Sequence, residues 1–228
     1  MVDSIICISF NFAPKAFVIF VTIIFCLTSS FPACLLVQFR VIKIKTMEHT
    51  KWSLDPAHST LGFKVKHLMI TNVSGSFQNF DASVETDGTD FTTAAIKLRA
   101  QISSIDTNNA QRDGHLRSSD FFEAEKFPEL IFQSAKVEKV DEENYHVIGN
   151  LTMKGVTKPV KLNVEYSGVT RDPWGGERAG FVISGKINRT DWGINFNAVL
   201  ETGNLMLAEE VKINSEIQLV KQAALVAA

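Results

Sequence analysis

Residues 145–166 read YHVIGNLTMKGVTKPVKLNVEY, two runs with apolar residues at every second position. Tyr145, Val147, Gly149, Leu151 and Met153 share one face of the first run, and Val160, Leu162, Val164 and Tyr166 share one face of the second. A period of two belongs to strands with one buried and one wet face. Gly155 with Lys158-Pro159 marks the reversal, so the stretch predicts an antiparallel hairpin.

The same period continues on both sides. Downstream, Asp172-Pro173-Trp174-Gly175-Gly176 is a loop by composition. Ala179, Phe181, Ile183, Gly185 and Ile187 form the next strand, and Val211, Ile213, Ser215, Ile217 and Leu219 the last. Upstream, Glu129 to Val140 reads as β, with Ile131, Ala135 and Val137 among polar neighbours. Ile96, Leu98, Ala100 and Ile102 alternate with Lys97, Arg99, Gln101 and Ser103, and Leu61, Phe63, Val65 and His67 with Gly62, Lys64, Lys66 and Leu68. Between Gly75 and Glu85 the pattern carries Phe77 and then Phe80, a slip that predicts a bulge or bend. Asp87-Gly88 supplies a turn. These runs make eight strands, with a short ninth around Trp52 to Leu54.

The period changes between Thr107 and Glu125, where Ala110, Leu116 and Phe121-Phe122 sit among polar residues. One or two short helices packed over a barrel end are expected there, with Asp120 capping the second and Pro128 closing the insert. The fold class is therefore mainly β: an antiparallel barrel of about eight strands with a short helical insert, spanning 51–221. A barrel of that size either fills its interior with side chains or holds one small ligand. Gly149, Gly185, Ala100 and Ser215 on the inner faces would leave room for a ligand, although small-against-large alternation in a filled core has the same pattern.

Length and charge narrow the function. A chain of 228 residues suits one such domain plus an appendage. Lys and Arg number 23 against 25 Asp and Glu, so no basic field is available to gather nucleic-acid phosphates. Cys7, Cys26 and Cys34 all precede Met47, leaving the β domain without thiols. Residues 1–46 form the appendage. Residues 16–39 carry no charge and read as an N-terminal apolar helix, either a transmembrane span or a signal segment that would bring the chain to a membrane. Arg40, Lys43, Lys45 and Lys51 follow it and favour a cytoplasmic β domain. Translation starting at Met47 would give a cytoplasmic domain without a leader; otherwise the chain is membrane-anchored or exported to the periplasm.

Several motifs occur in order. Asp55-Pro56-Ala57-His58-Ser59 runs into Phe63-Lys64-Val65-Lys66-His67-Leu68, followed by Gly75-Ser76-Phe77 and Phe80. Asp113-Gly114-His115-Leu116 leads to Asp120-Phe121-Phe122 and Lys126-Phe127-Pro128. Gly149-Asn150-Leu151-Thr152-Met153-Lys154-Gly155-Val156-Thr157 and Arg189-Thr190-Asp191-Trp192-Gly193 complete the set. From Trp52 to Leu219 the chain resembles the YceI-like family of lipid or polyisoprenoid-binding proteins. The resemblance implies an extended, lipocalin-like barrel with a deep apolar channel for an isoprenoid chain such as a quinone tail. It implies no catalytic reaction and no required cofactor.

On that basis Phe63, Val65, Phe77, Phe80, Leu98 and Ile102 are expected to line the channel from the first half of the domain. Leu151, Met153, Leu162, Phe181, Ile183, Ile213 and Ile217 would line it from the second. His58, His67, His115, Phe121, Phe122, Phe127, Arg189, Asp191 and Trp192 are expected at the channel mouth or lid, with the three phenylalanines acting as core or gate. At about 0.8 kcal/mol per methylene, a tail of about 20 carbons gains on the order of 16 kcal/mol before ordering costs. Affinity should then follow chain length more than headgroup.

Two other functions compete. The histidines, with Asp55 and Asp113 near, invite a metal-linked or redox enzyme, but their spacing matches no compact ligand motif and no metal site is assigned. The simpler role for them is to tie loop backbone and carboxylates at the barrel mouth. Asp55, Asp113, Asp120 and Asp191 lack an accompanying nucleophile or phosphate loop, and a salt bridge from Asp191 to Arg189 is the plainer expectation. A filled barrel serving in stress or protein interaction is the third reading. The partner expected is an apolar lipid; the oligomeric state is left open, a dimer included.

Overall fold

The computed structural model describes residues 49–198 and 205–222, and the backbone of two segments nearer the N-terminus. These two, β1 (Cys7–Ala13) and β2 (Ala16–Thr22), pair as an antiparallel hairpin with Ala13 opposite Ala16. The apolar helix expected over 16–39 is therefore a strand over its first part, and 23–39 lies outside the described residues. AFVIFVT is rich in β-branched and aromatic residues, which favour extended backbone at the same hydropathy. Among the described residues no helix is long and apolar enough to cross a membrane. Residues 1–48 and 49–228 are separate compact units.

The second unit contains β3 (His49–Leu54), β4 (Thr60–His67), β5 (Thr71–Phe77), β6 (Phe80–Asp87), β7 (Asp90–Gln101), the two-residue β8 (Ile105–Asp106) and helix α1 (Ala110–Arg117). It continues through β9 (Glu129–Lys139), β10 (Asn144–Met153), β11 (Val156–Arg171), β12 (Glu177–Asn188) and β13 (Leu207–Lys221). All pairings are antiparallel. Strands β12, β11, β10, β9, β7, β6, β3 and β13 follow one another in space, and β12 pairs back onto β13 to close an eight-stranded barrel.

Strand β13 carries the closure. One edge pairs with β12 from Glu210 to Val220; the other divides, meeting β4 over Leu207–Glu216 and β3 over Leu219–Lys221. Strands β4, β5 and β8 thereby extend the wall at one end. Three short corners allow the split: the 3-10 turn Pro56–His58 between β3 and β4, Gln78-Asn79 between β5 and β6, and the 3-10 turn Ile102–Ser104 between β7 and β8. The last two are bonded together, Gln78 N–H to Ser104 O at 3.1 Å and Gln101 N–H to Asn79 O at 2.9 Å. Of the two readings of the slip between Phe77 and Phe80, the bend holds: it is a corner between two strands, not a bulge within one.

The turn chemistry differs from expectation at one hairpin and is unusual at another. Lys154 and Gly155 turn β10 into β11 with φ of 49° and 73°, while Lys158-Pro159 lies inside β11, opposite Asn150 and Leu151. Proline is tolerated there because β12 pairs with β11 only from Leu162 onward, so Pro159 has a free edge. Leu68 and Met69 turn β4 into β5 with φ of 50° and 60°. Both occupy the left-handed region, which costs a bulky L-residue roughly 1–2 kcal/mol and is normally filled by Asn-Gly.

The helical insert is also shorter than expected. One helix forms, capped by Asn109, which accepts from Arg112 N–H at 3.0 Å; residues 118–128 continue as turns, so the second helix that Asp120 was expected to cap is absent. Ile102 N–H donates to Pro128 O at 2.8 Å, and Phe122, Leu116 and Ala124 pack on the Phe77, Ala100, Ile102 and Ile105 cluster. The insert thereby fills the space between the extended wall and β9.

Candidate functional site

A cavity of about 430 Å³ runs along the barrel axis. Its wall includes the predicted channel residues Phe63, Val65, Phe77, Leu98, Leu151 and Met153, and from the later strands Leu162, Phe181, Ile183, Ile213 and Ile217. Many of these point inward yet are only half-buried, including Leu98, Leu162, Ile183 and Ile213, because the cavity lies beside them. Phe80 and Ile102, expected on the channel wall, do not border the cavity: Ile102 is buried core at 2% exposure, and the half-buried Phe80 packs against two core clusters beside its corner.

The small inner residues do not open the channel as expected. A Cβ on Gly149 would sit 2.5 Å from the Phe132 ring, and one on Gly185 would sit 2.7 Å from Leu162. Ala100 is fully packed at 1% exposure. These positions admit large neighbours. Of the four, Ser215 alone lines the cavity, and its hydroxyl accepts from Gly62 N–H at 3.2 Å.

One end is covered by the insert. His67, His115, Phe121, Phe122 and Arg189 border the cavity there. His115, Phe121 and Phe196 form an aromatic cluster with centroids 4.8 to 5.1 Å apart, joining the insert to the loop after Trp192. Phe127 packs under Gly155 at the hairpin turn rather than on the cavity. Trp192 is core, 2% exposed, and its Nε1–H donates to Leu151 O at 3.0 Å.

Arg189 does not pair with Asp191. Its Nε–H donates to Ala208 O at 3.1 Å and its Nη1–H to Ile194 O at 2.6 Å, while Asp191 is exposed. A 3-10 turn from Arg189 to Trp192 separates the two side chains. Burial of the guanidinium lowers its pKa, with Glu209 opposing. On the insert, the buried Asp113 carboxylate accepts from Thr107 N–H at 3.0 Å, and Arg112 donates to Thr107 Oγ1 and O at 2.7 Å each. Arg112 and Thr107 border the cavity and escaped the sequence reading, since nothing local sets a helical arginine apart from solvated ones. Apart from Tyr145 and Ser215, the polar side chains of the wall gather at this covered end.

His58 lies at the other end. Strand β13 runs from Leu207, opposite His67, to Gln218, whose carbonyl accepts from Asp55 N–H, roughly 35 Å along an extended chain. His58 Nδ1 meets Asp55 at 3.0 Å, whereas His115 Nε2 meets Asp120 at 2.9 Å at the insert. Both histidines tie a loop to a carboxylate as expected, but not at a common mouth. Among the described residues no group of three His, Cys, Asp or Glu side chains could hold a metal ion.

The His58 end is closed by aromatic packing that the sequence reading also missed. Phe91 contacts Trp52, Tyr166 and Phe181 at centroid distances of 5.3, 5.3 and 5.1 Å, and Trp52 Nε1–H donates to Thr86 Oγ1 at 3.0 Å. Outside this plug, Arg178 bonds both Asp55 and Asp172. The Asp172 carboxyl is held below its ordinary value by Arg178 and by Gly176 N–H. Burial raises that of Asp55, but bonds from His58 and Arg178 outweigh it. A depressed folded pKa contributes stability that is present above the unfolded value and lost as pH falls through the folded one. The Tm advantage of wild type over Arg178→Gln should therefore be full above pH ~4 and shrink below it. A difference that stays constant from pH 7 to 2.5 would contradict this assignment.

Comparison with known proteins agrees with this architecture. The family model described as YceI-like domain matches residues 52–219. The UPF0312 protein of Staphylococcus aureus strain N315 is 42% identical over 170 residues, covering 74% of this chain and 96% of its own length. The crystal structure of the Campylobacter jejuni YCEI protein is 34% identical with a TM-score of 0.61, covering 75% of this chain and 97% of that one. A polyisoprenoid binding domain from Saccharophagus degradans shares the fold at 18% identity and a TM-score of 0.51, covering 75% and 98% of the two chains. With the match running from within β3 to within β13 and so taking in every strand of the closed barrel, this chain belongs to the YceI-like domain family.

Proposed function

We propose that the barrel binds one long apolar lipid, of the polyisoprenoid or isoprenoid-quinone class, and carries or sequesters it without chemical change. The observation that carries this reading is the shape and polarity of the cavity. An aliphatic and aromatic bore is closed at one end by Phe91 and Trp52, and its polar side chains, Tyr145 and Ser215 apart, collect at the other. A chain with a single polar end matches that gradient: the tail fills the bore and the headgroup rests beneath the insert.

Arg112 and Arg189 already donate to Thr107 and to backbone carbonyls, so neither requires a ligand anion. Affinity therefore comes from the tail, at about 0.8 kcal/mol per buried methylene less ordering costs. A cavity of about 430 Å³ falls within the range of small-molecule sites, roughly 300–1,000 Å³. The name of the Saccharophagus degradans domain agrees with this ligand class. The half-buried inner residues Leu98 and Ile183 weigh against a filled barrel.

Solvent extraction and mass spectrometry of the freshly purified full chain should release an isoprenoid. Titration of the extracted protein with geranylgeraniol should then saturate near one molecule per chain. No co-purifying lipid together with no uptake of the alcohol would remove the carrier reading.

A further inference from the structure

We propose that the Leu68-Met69-Ile70 turn is a membrane-docking tip that seats the insert-covered end of the barrel on an anionic bilayer; the inference rests on the carrier reading above. Among the described residues nine large apolar side chains are exposed, and four of them meet here: Leu68, Met69, Ile70 at 78% exposure, and Leu205. The contact between the two segments is direct, since Leu68 N–H donates to Met206 O at 2.8 Å.

Three observations point to a bilayer. The tip adjoins the channel, because His67, Val73, Met206 and Leu207, the residues flanking it in the two segments, all border the cavity. The turn needs positive φ at both central positions, where Asn-Gly would serve local stability better, yet Leu and Met occupy them and face outward. The adjacent outer wall is basic. Lys186, Lys212 and Lys64 stand directly opposite one another across β12, β13 and β4, and Lys66 lies two residues nearer the tip.

Like charges in cross-strand register repel, so such a row indicates an external anion. Glu210 pairs with Lys186 at 3.1 Å, whereas Lys64, Lys66 and Lys212 make no ion pair among the described residues. Glu209 also lies nearby, exposed and without an ion pair. An apolar tip flanked by lysines matches the layering of an anionic membrane, acyl region first and phosphates behind. Docking there would let a lipid tail pass into the bore without crossing water.

Hydrogen exchange of the full chain, read by mass spectrometry with and without vesicles, localises the contact whatever residues 1–48 do. Vesicles of phosphatidylcholine with about 30% phosphatidylglycerol should slow exchange of residues 66–71 at least tenfold. Phosphatidylcholine alone should protect less. Leu68→Asn with Met69→Gly and Ile70→Ser supplies a favourable turn, so it should fold with an equal or higher Tm while losing this protection. Lys64→Gln with Lys66→Gln and Lys212→Gln should lose the preference for anionic vesicles. Trp174→Ala, which removes the most exposed apolar side chain at the far end, should change neither.

Protection confined to residues 1–46, or lost on Trp174→Ala and kept in the turn variant, would overturn the proposal. Geranylgeraniol uptake in vesicle-free solution is measured on the same samples. Uptake without vesicle protection overturns the docking tip and leaves the carrier reading; protection with neither uptake nor a co-purifying lipid keeps the tip and removes the carrier reading.

Discussion

Replacing Ile183 with Trp is expected to lower isoprenoid uptake at least a hundredfold while leaving Tm unchanged or slightly raised. Ile183 packs against both the Trp52–Leu219 cluster and the Phe132–Trp192 cluster, so it stands where the two ends of the bore meet. An indole there fills space that the cavity already offers, and filling a void does not strain the wall. A tail of about 20 carbons would lose roughly half its buried methylenes, about 8 kcal/mol of gross transfer energy at 0.8 kcal/mol each. Even after ordering costs are recovered, a hundredfold loss is a conservative expectation. Titration with geranylgeraniol and a thermal melt check both parts. Undiminished uptake would mean that the chain does not reach the middle of the barrel.

Trp192→Ala is expected to destabilise the domain by about 3–5 kcal/mol, the range for deleting a buried large aromatic side chain. For a domain of this size that corresponds to a fall in Tm on the order of 10 °C. Trp192 is 2% exposed, packs with Phe132, Leu151 and Met153, and bonds the Leu151 carbonyl. Leu151 in turn lines the cavity, so the indole supports the bore from behind. Trp192→Phe keeps the ring and loses the hydrogen bond, for which about 1 kcal/mol is expected. Circular dichroism melts of the two variants separate packing from bonding. A Tm within 2 °C of wild type for Trp192→Ala would show that the site collapses without cost.

The strands were legible because a period of two is a local property. Tyr145 to Tyr166, Ala179 to Ile187 and Val211 to Leu219 each announce an inner face within ten residues or so, and the register follows that alternation. The corners were not legible. Nothing near Gln78-Asn79 distinguishes a bulge from a change of strand, because the distinction depends on Ser104 and Asn79 meeting across 25 residues. The second helix was misread for a related reason: Asp120 has capping chemistry, but the residues after it form turns against the barrel, and its carboxylate meets His115.

The channel wall followed from alternation, and its two ends did not. Composition and periodicity by themselves determined a cysteine-free antiparallel barrel with an apolar interior, since those features depend on neighbours along the chain. Tertiary structure alone decided that His58 and His115 stand at opposite ends, that Arg189 answers to carbonyls and not to Asp191, and that Phe91 plugs one end while the insert covers the other. Those facts are contacts between strands distant in sequence, fixed by how β13 divides its edge between β3 and β4. No pattern read along one strand encodes which partner lies beside it.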